Sequence, residues 1–430
     1  MTILQTADPV GCGCEGPDLA GDILSLDAAL ARIATLAQPV TKVETVALDH
    51  AAGRVLARPV HTSCAAPPFN NSGMDGFAVR VADLSGQAQR TERLSLAVQD
   101  RLAAGDGRQL RLAPDAAIQV FTGAAIPEGA DAVVMQEQVR RVHGRIFLED
   151  CPQPGLNIRL SGEDMAKGIE VLSAGKKMTA RDVAVAAAAG AGSVQVTRKL
   201  RVALLVTGTE VRAPGMALDA ATIWDVNTPM LAAMLRRPLL DLVAVEHGAD
   251  HPGELTLQIG RMAQGADLVV TTGGVSVGQE DHLHAAVSGA GGEIAFAGVA
   301  IKPGKPVSVG RIGGALWIGL PGNPVSSFVT WTLFGEAMLD GLSHAAARPS
   351  RRNVIIGTDI HHKPGRCELR PARHAGFDGS GRDVVTFDSA THSARVHGFA
   401  AADGLLLIPA EVDFLRSGSL VEFVPFRDAV

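Results

Sequence analysis

Acid, amide, hydroxyl and glycine residues gather just after short apolar runs in the second half of this 430-residue chain. Residues 201–206 lead to Thr207-Gly208-Thr209-Glu210, and residues 242–245 to Gly248-Ala249-Asp250. Residues 268–270 continue through Thr271-Thr272 to Gly273-Gly274-Val275-Ser276, with Asp281 beyond. Residues 315–319 lead to Leu320-Pro321-Gly322-Asn323-Pro324-Val325-Ser326. Runs rich in β-branched residues suit strands buried on both faces. In an open parallel sheet, ligands sit beyond the carboxyl ends of such strands. Gly273, Gly274 and Gly278 let backbone N–H groups come close to an anion. The Pro-Gly-Asn-Pro stretch opens a predicted helix, whose free N–H groups and dipole suit phosphate or another oxyanion. Lys302 and Lys305 add point charges, and the Pro303-Gly304 spacer predicts an extended segment between them.

Three carboxylates, Glu210, Asp250 and Asp281, would repel an anion unless a divalent cation lay among them. Carboxylate oxygens together with water suit Mg2+. The implied ligand is a phosphorylated molecule held with a metal ion, or a second oxyanion. Simpler uses exist for the same residues. Asp250 and Asp281 each stand where a helix cap belongs, Asn227 also reads as a cap, and Asn323 fits plain turn chemistry. The thirteen histidines form no spaced cluster, and the adjacent His361-His362 reads as exposed, which argues against a histidine metal site. There is no G-x-S-x-G nucleophile motif and no G-x-G-x-x-G at the glycine loop, which disfavours a serine hydrolase and a usual dinucleotide fold.

The elements that must position these residues alternate strand and helix over residues 199–344. That predicts a doubly wound α/β domain with a mostly parallel sheet. Residues 22–68 and 162–198 carry helical patterns, including one over 25–37 with Ser25 or Asp27 as its cap and one over 179–189 stopped by Gly190. Between them, residues 69–161 read as short strands separated by glycine and proline, so a β-rich domain is inserted into a helical linking domain. Residues 345–430 lose the helices and predict a small β-barrel or sandwich, the barrel being the fold expected. Residues 1–21 are glycine- and acid-rich and predict a disordered arm containing Cys12-Gly13-Cys14. The fold class is thus multidomain α/β and β.

Composition limits the function. A net charge of −6 argues against a broad nucleic-acid surface. No run approaches the roughly 20 apolar residues of a membrane span. The N-terminus lacks a basic region followed by an apolar one, so no signal peptide is expected. Five cysteines in so long a chain are too few for a disulfide framework and fit a reducing cytoplasm.

Six motifs appear in order: Ser72-Gly73-Met74-Asp75-Gly76-Phe77-Ala78, Thr122-Gly123-Ala124 with Pro127-Glu128-Gly129-Ala130-Asp131, Thr207-Gly208-Thr209-Glu210, Gly273-Gly274-Val275-Ser276-Val277-Gly278, Lys302-Pro303-Gly304-Lys305-Pro306 and Leu320-Pro321-Gly322-Asn323-Pro324-Val325-Ser326. Over about residues 22–430 the chain resembles the MoeA-type molybdopterin molybdenumtransferases, a family similar to the C-terminal enzyme domain of gephyrin.

That resemblance implies an enzyme of molybdenum cofactor biosynthesis. It would take adenylylated molybdopterin and molybdate, insert the metal into the dithiolene with the help of Mg2+, and release AMP. It implies an elongated homodimer whose site joins the α/β domain of one subunit to the inserted domain of the other, so that Asp75 and Thr122 reach in from the partner subunit. Glu210, Asp250 and Asp281 would serve the metal or activate the attacking oxygen. Lys302, Lys305, Pro321 and Ser326 would line the oxyanion and phosphate pocket, and Ser393 would contribute to molybdate binding. The expected partners are the molybdopterin adenylyltransferase and apo-molybdoenzymes or their chaperones, with no nucleic acid and no membrane. Two alternatives are a non-catalytic scaffold and a pterin adenylyltransferase. The first would not need the carboxylates, and the second would not need residues 22–198 or 345–430.

Overall fold

Alternation along single strands sets the layers of the α/β domain. In the strand Leu200–Val206 (β1), Val202, Leu204 and Val206 enter one core while Ala203 and Leu205 enter another on the opposite face. A strand apolar on both faces must be covered on both. A computed structural model of the chain describes residues 23–89, 93–248, 251–274, 282–345, 351–388 and 396–426. Asp250, Ser276, Asp281 and Ser393, and the Cys12-Gly13-Cys14 arm, lie outside these described residues.

The domain continues with helix Asn227–Leu235 (α1), strand Leu240–His247 (β2), helix Pro252–Gly265 (α2), strand Leu268–Thr272 (β3) and helix His282–Gly289 (α3). Strands Gly292–Ala297 (β4), Ser308–Ile312 (β5) and Ala315–Leu320 (β6) precede helix Pro324–Thr330 (α4). The sheet order is β2-β1-β3-β6-β5-β4. It is parallel from β2 to β6, and β5 is antiparallel to both β6 and β4. Leu255, Ile259 and Met262 of α2 and Leu283 and Val287 of α3 cover one face, against Val269 and Trp317. Leu231 and Leu235 of α1 and Val329 of α4 cover the other. Each fully buried aliphatic side chain contributes about 1.5–3 kcal/mol. The chain leaves β1 toward β2 and crosses back to β3 on β1's other side. This reversal opens a crevice at the carboxyl ends of β1 and β3.

Helix Leu26–Leu36 forms as expected, with Ser25 Oγ accepting the Ala28 N–H at 3.2 Å. It packs elsewhere than expected. Leu26, Ala29 and Ile33 join the α/β core rather than a core of the linking segment. The linking segment itself is partly strand. Val43–Ala47 pairs with Ser193–Thr197, and Val60–His61 with Glu170–Leu172, alongside helix Ala180–Ala188. Thr179 and Asp182 form that helix's capping box, and Gly190 follows it. These pairings bring the two ends of the insertion together, and Ser161-Gly162-Glu163-Asp164 is a turn between them.

The inserted domain holds a six-stranded sheet in the order Ala132–Met135, Gly76–Val79, Ala116–Val120, Leu94–Leu102, Arg145–Leu148, Val139–Val142. Five C-terminal strands close on themselves. Arg352–Ile356 pairs with Asp383–Phe387 and Leu420–Pro425, and Cys367–Phe377 pairs with Asp383–Phe387 and Gly404–Ile408. Gly404–Ile408 completes the ring against Leu420–Pro425. Val354, Ile356, Leu406 and Phe423 fill this barrel, while Leu369, Leu405 and Leu407 face the α/β core. Among the described residues, no helix is long and apolar enough to cross a membrane.

Candidate functional site

The crevice is a cavity of about 600 Å3. Its lining brings together Thr207, Gly208, Glu210, Gly273, Gly274, Pro321, Gly322, Asn323, Pro324 and Ser326, all singled out in the sequence. Two glycines are required where they stand. Gly273 has a φ of 92°, and a Cβ there would lie 2.6 Å from the Thr207 carbonyl and hydroxyl oxygens. Gly208 has a φ of 132°, and a Cβ there would meet Glu210 Oε2 at 2.7 Å. The glycines therefore let the loops after β1 and β3 touch, and let the Glu210 carboxylate fold over backbone. Glu210 is exposed, and its carboxylate has no hydrogen-bond or ion-pair partner among the described residues.

Three loop ends are locked by one buried network. Thr272 Oγ1 donates to the Pro321 carbonyl at 3.0 Å. Asn227 Nδ2 donates to Thr272 Oγ1 at 3.0 Å and to the Gly322 carbonyl at 2.7 Å. Asn323 is the N-cap of α4, with Oδ1 accepting the Val325 N–H at 3.3 Å and Pro324 in the first turn. Helical turns then continue from α4 to Leu342. Turn chemistry and a helix start at Asn323 are thus one and the same feature.

Asn227 is not a cap. It is buried and points across the crevice floor, and Val226 precedes α1 at the cap position. Asp225 takes over, accepting the Thr228 N–H at 2.9 Å through Oδ1. Its Oδ2 lies 3.1 Å from His247 Nε2 at the end of β2. Asp225 and its neighbour Trp224 both line the cavity. Neither carries a motif or a periodic pattern, and the only signal in the sequence is their position between a predicted strand end and a predicted helix start.

The lysine pair behaves differently from its expectation. Ile301–Lys302 is a short strand paired in parallel with Cys367–Glu368 of the barrel, and Lys302 Nζ lies 3.8 Å from Glu368 Oε2. The segment after it turns at Gly304, with the Val307 N–H donating back to the Gly304 carbonyl at 3.1 Å, so it is not extended. Glycine removes the steric bar to that turn. Pro306 lines the cavity, whereas Lys302 and Lys305 do not. His362 departs from its expected exposure too. Successive residues of an extended segment face opposite ways, so His361 is exposed and His362 is buried beside Glu368.

Asp75 and Thr122 meet on the inserted domain, away from the cavity lining. Asp75 Oδ1 accepts the Thr122 N–H and the Thr122 hydroxyl, both at 2.8 Å. The backbone bond first, and the hydroxyl second, hold the Asp75 carboxyl below the usual carboxylate range. Another cleft in that domain, about 610 Å3, is lined by Asp100, Asp106 and Arg108. Arg108 is paired with both carboxylates, with Nη2 2.8 Å from Asp106 and Nη1 3.3 Å from Asp100, and Arg101 and Arg141 also line the cleft.

Among the described residues no three His, Cys, Asp or Glu side chains are grouped to hold a metal ion. Of the three carboxylates expected to do so, Glu210 is in the cavity, and Asp250 and Asp281 lie outside the described residues. A free, exposed carboxylate among backbone amides is a fitting donor for a hydrated Mg2+. Helix α3 does start directly after Asp281, as the sequence predicts.

Residues 24–190 match the family model described as MoeA N-terminal region (domain I and II). Residues 203–341 match that described as Probable molybdopterin binding domain, and residues 353–426 that described as MoeA C-terminal region (domain IV). A molybdopterin molybdenumtransferase of Haemophilus influenzae is 36% identical over 408 residues, covering 94% of this chain and 99% of that protein. Molybdopterin molybdenumtransferase 2 of Mycobacterium tuberculosis is 34% identical over 386 residues, covering 88% and 94%. The crystal structure of the molybdopterin biosynthesis moeA protein of Pyrococcus horikoshii OT3 matches with a TM-score of 0.79 at 27% identity, covering 94% of this chain and 100% of that one.

Proposed function

Because the chain belongs to the MoeA family of molybdopterin molybdenumtransferases, we propose that it inserts molybdate into adenylylated molybdopterin and releases AMP, a step of molybdenum cofactor biosynthesis. The observation that carries this reading is the assembly of ten sequence-selected residues from three strand ends around one cavity. Reaction at an adenylate phosphorus depends mainly on positioning and charge neutralisation. The Gly274 amide and the Asn323-capped start of α4 supply donors for phosphate oxygens. The network through Asn227, Thr272 and Pro321 holds those donors in place before substrate arrives.

Glu210 would hold Mg2+, completed by Asp250 and Asp281. When bound, the ion neutralises phosphate charge and orients the phosphate oxygens. Asp75 and Thr122 sit together on the inserted domain, and in a homodimer they would serve the cavity of the partner subunit. The carboxylate, kept ionised by Thr122, would orient a group there. Lys302, Lys305 and Ser326, with Ser393 from the barrel region, would receive molybdate where the α/β domain meets the barrel. Lys302 already lies in the strand that joins the two. Lysine ammonium groups and hydroxyls suit a tetrahedral dianion. The protein would work in the cytoplasm, taking its substrate from the molybdopterin adenylyltransferase and passing product to apo-molybdoenzymes or their chaperones.

A pterin adenylyltransferase is disfavoured by the family matches on both flanks of the α/β domain, over residues 24–190 and 353–426. The test is reconstitution. The protein, adenylylated molybdopterin, Mg2+ and molybdate should activate an apo-molybdoenzyme. Activation that does not depend on the protein contradicts the proposal.

A further inference from the structure

We propose that Trp224 is the aromatic platform at the mouth of the crevice on which a flat fused-ring heterocycle of the substrate stacks. The inference rests on the reading of the crevice as the site of an adenylylated pterin. The chain has three tryptophans. Trp317 and Trp331 are fully buried, whereas Trp224 is 53% exposed and still lines the cavity. Its single polar group is satisfied inside the protein, because Nε1 donates to the Met216 carbonyl at 3.0 Å. What the indole offers to the cavity is therefore apolar π surface. Ile223 and Met216 are exposed beside it, at 57% and 60%. An exposed apolar rim beside a ligand-sized crevice marks a place where a ligand or partner buries surface.

The platform is rigidly joined to the floor. Ile223–Trp224 pairs in parallel with Val211–Arg212, with the Ile223 N–H donating to the Glu210 carbonyl at 2.9 Å and the Asp225 N–H to the Arg212 carbonyl at 2.8 Å. The next residues are Asp225, which caps α1, and Asn227, which grips Thr272 and Gly322. A phosphate held by the Gly274 amide and the start of α4 would share one cavity with Trp224. Stacking suits any flat heterocycle and needs no hydrogen-bond match. Pterin and adenine share that chemistry, and both belong to the proposed substrate.

The test measures affinity of the full-length protein for adenylylated molybdopterin, for a free pterin and for AMP, using wild type, Trp224→Phe, Trp224→Leu and Trp224→Ala. Alanine and leucine should each weaken adenylylated molybdopterin about ten-fold or more, and phenylalanine by no more than about three-fold, as expected for one stacked ring. KM should rise by the same factor with kcat little changed. Whichever fragment loses affinity in Trp224→Leu, pterin or AMP, identifies the stacked ring. Equal binding by wild type and Trp224→Ala overturns the inference. Loss of affinity in Trp224→Phe as large as in Trp224→Ala also overturns it, pointing to the Met216 hydrogen bond instead. A wild-type protein that binds none of the three ligands overturns the reading of the crevice itself, a result distinct from the other two.

Discussion

The side-chain amide of Asn227 donates to the Gly322 carbonyl at 2.7 Å, tying the first residue of α1 to the loop that opens α4. The same amide donates to Thr272 Oγ1, whose own proton goes to the Pro321 carbonyl. One buried side chain thus fixes the distances between three loops of the crevice. Asn227→Ala leaves buried acceptors short of a donor and should cost about 1–3 kcal/mol of stability. Asn227→Asp should be worse, since it sets an acceptor against the Gly322 carbonyl. Denaturant midpoints of the three proteins check the order.

Gly273→Ala should be more damaging to binding than to the fold. The new Cβ would collide with Thr207 backbone, and the φ of 92° disfavours any L side chain. The loops after β1 and β3 would have to separate. Loss of substrate affinity with a melting temperature within a few degrees of wild type is the expected outcome, read by calorimetry on the same samples.

The pair Arg198–Asp267 gives a pH signature. Arg198 Nη1 and Nη2 donate to the two Asp267 oxygens at 2.7 and 2.8 Å, and the Arg201 N–H donates to Oδ2 at 2.8 Å. Burial pushes the Asp267 carboxyl up, but these bonds and the Arg198 and Arg201 charges outweigh it and hold the carboxyl below its usual range. A depressed carboxyl contributes stability above its unfolded pKa and loses it as pH falls through the folded value. Asp267→Asn should therefore cost about 1–2 kcal/mol at neutral pH, discounted for partial solvent screening. The gap to wild type should narrow only below the ordinary carboxylate range, as followed by urea unfolding over a pH series.

Thr122→Val removes one of the two bonds that keep Asp75 ionised. The Asp75 carboxyl should move up toward its usual range without reaching it, because the backbone N–H bond remains. Titration of the Asp75 carboxyl by NMR checks the shift. The acid limb of kcat/KM should move to higher pH in the same direction.

Much of the site was legible because it lies at strand ends. Apolar runs fixed the positions of β1, β3 and β6, and the residues just after them, Thr207, Gly273 and Pro321, necessarily arrive at one edge of the sheet. Other parts have no local signal. Helical periodicity shows that Leu26, Ala29 and Ile33 share a face, but not that the α/β core receives it. Trp224, Asp225 and Asn227 depend on how a loop folds back over the floor. Charge alone marks Lys302 in the sequence, and strand pairing with the barrel carries it outside the cavity lining. His362 looked like its neighbour, and a single residue step placed it on the buried side.

Glu210 bears the central claim, since its carboxylate is the one member of the expected metal set that the described cavity contains. Glu210→Gln keeps the shape and removes the charge. The decisive measurement is AMP release from adenylylated molybdopterin with Mg2+, with and without molybdate, for wild type and Glu210→Gln. Molybdate-dependent release by wild type, reduced at least about 100-fold in the variant, is predicted for loss of a charge that stabilises the reacting phosphate. Absence of molybdate-dependent release from the wild-type protein, or an undiminished rate in Glu210→Gln, would contradict the account.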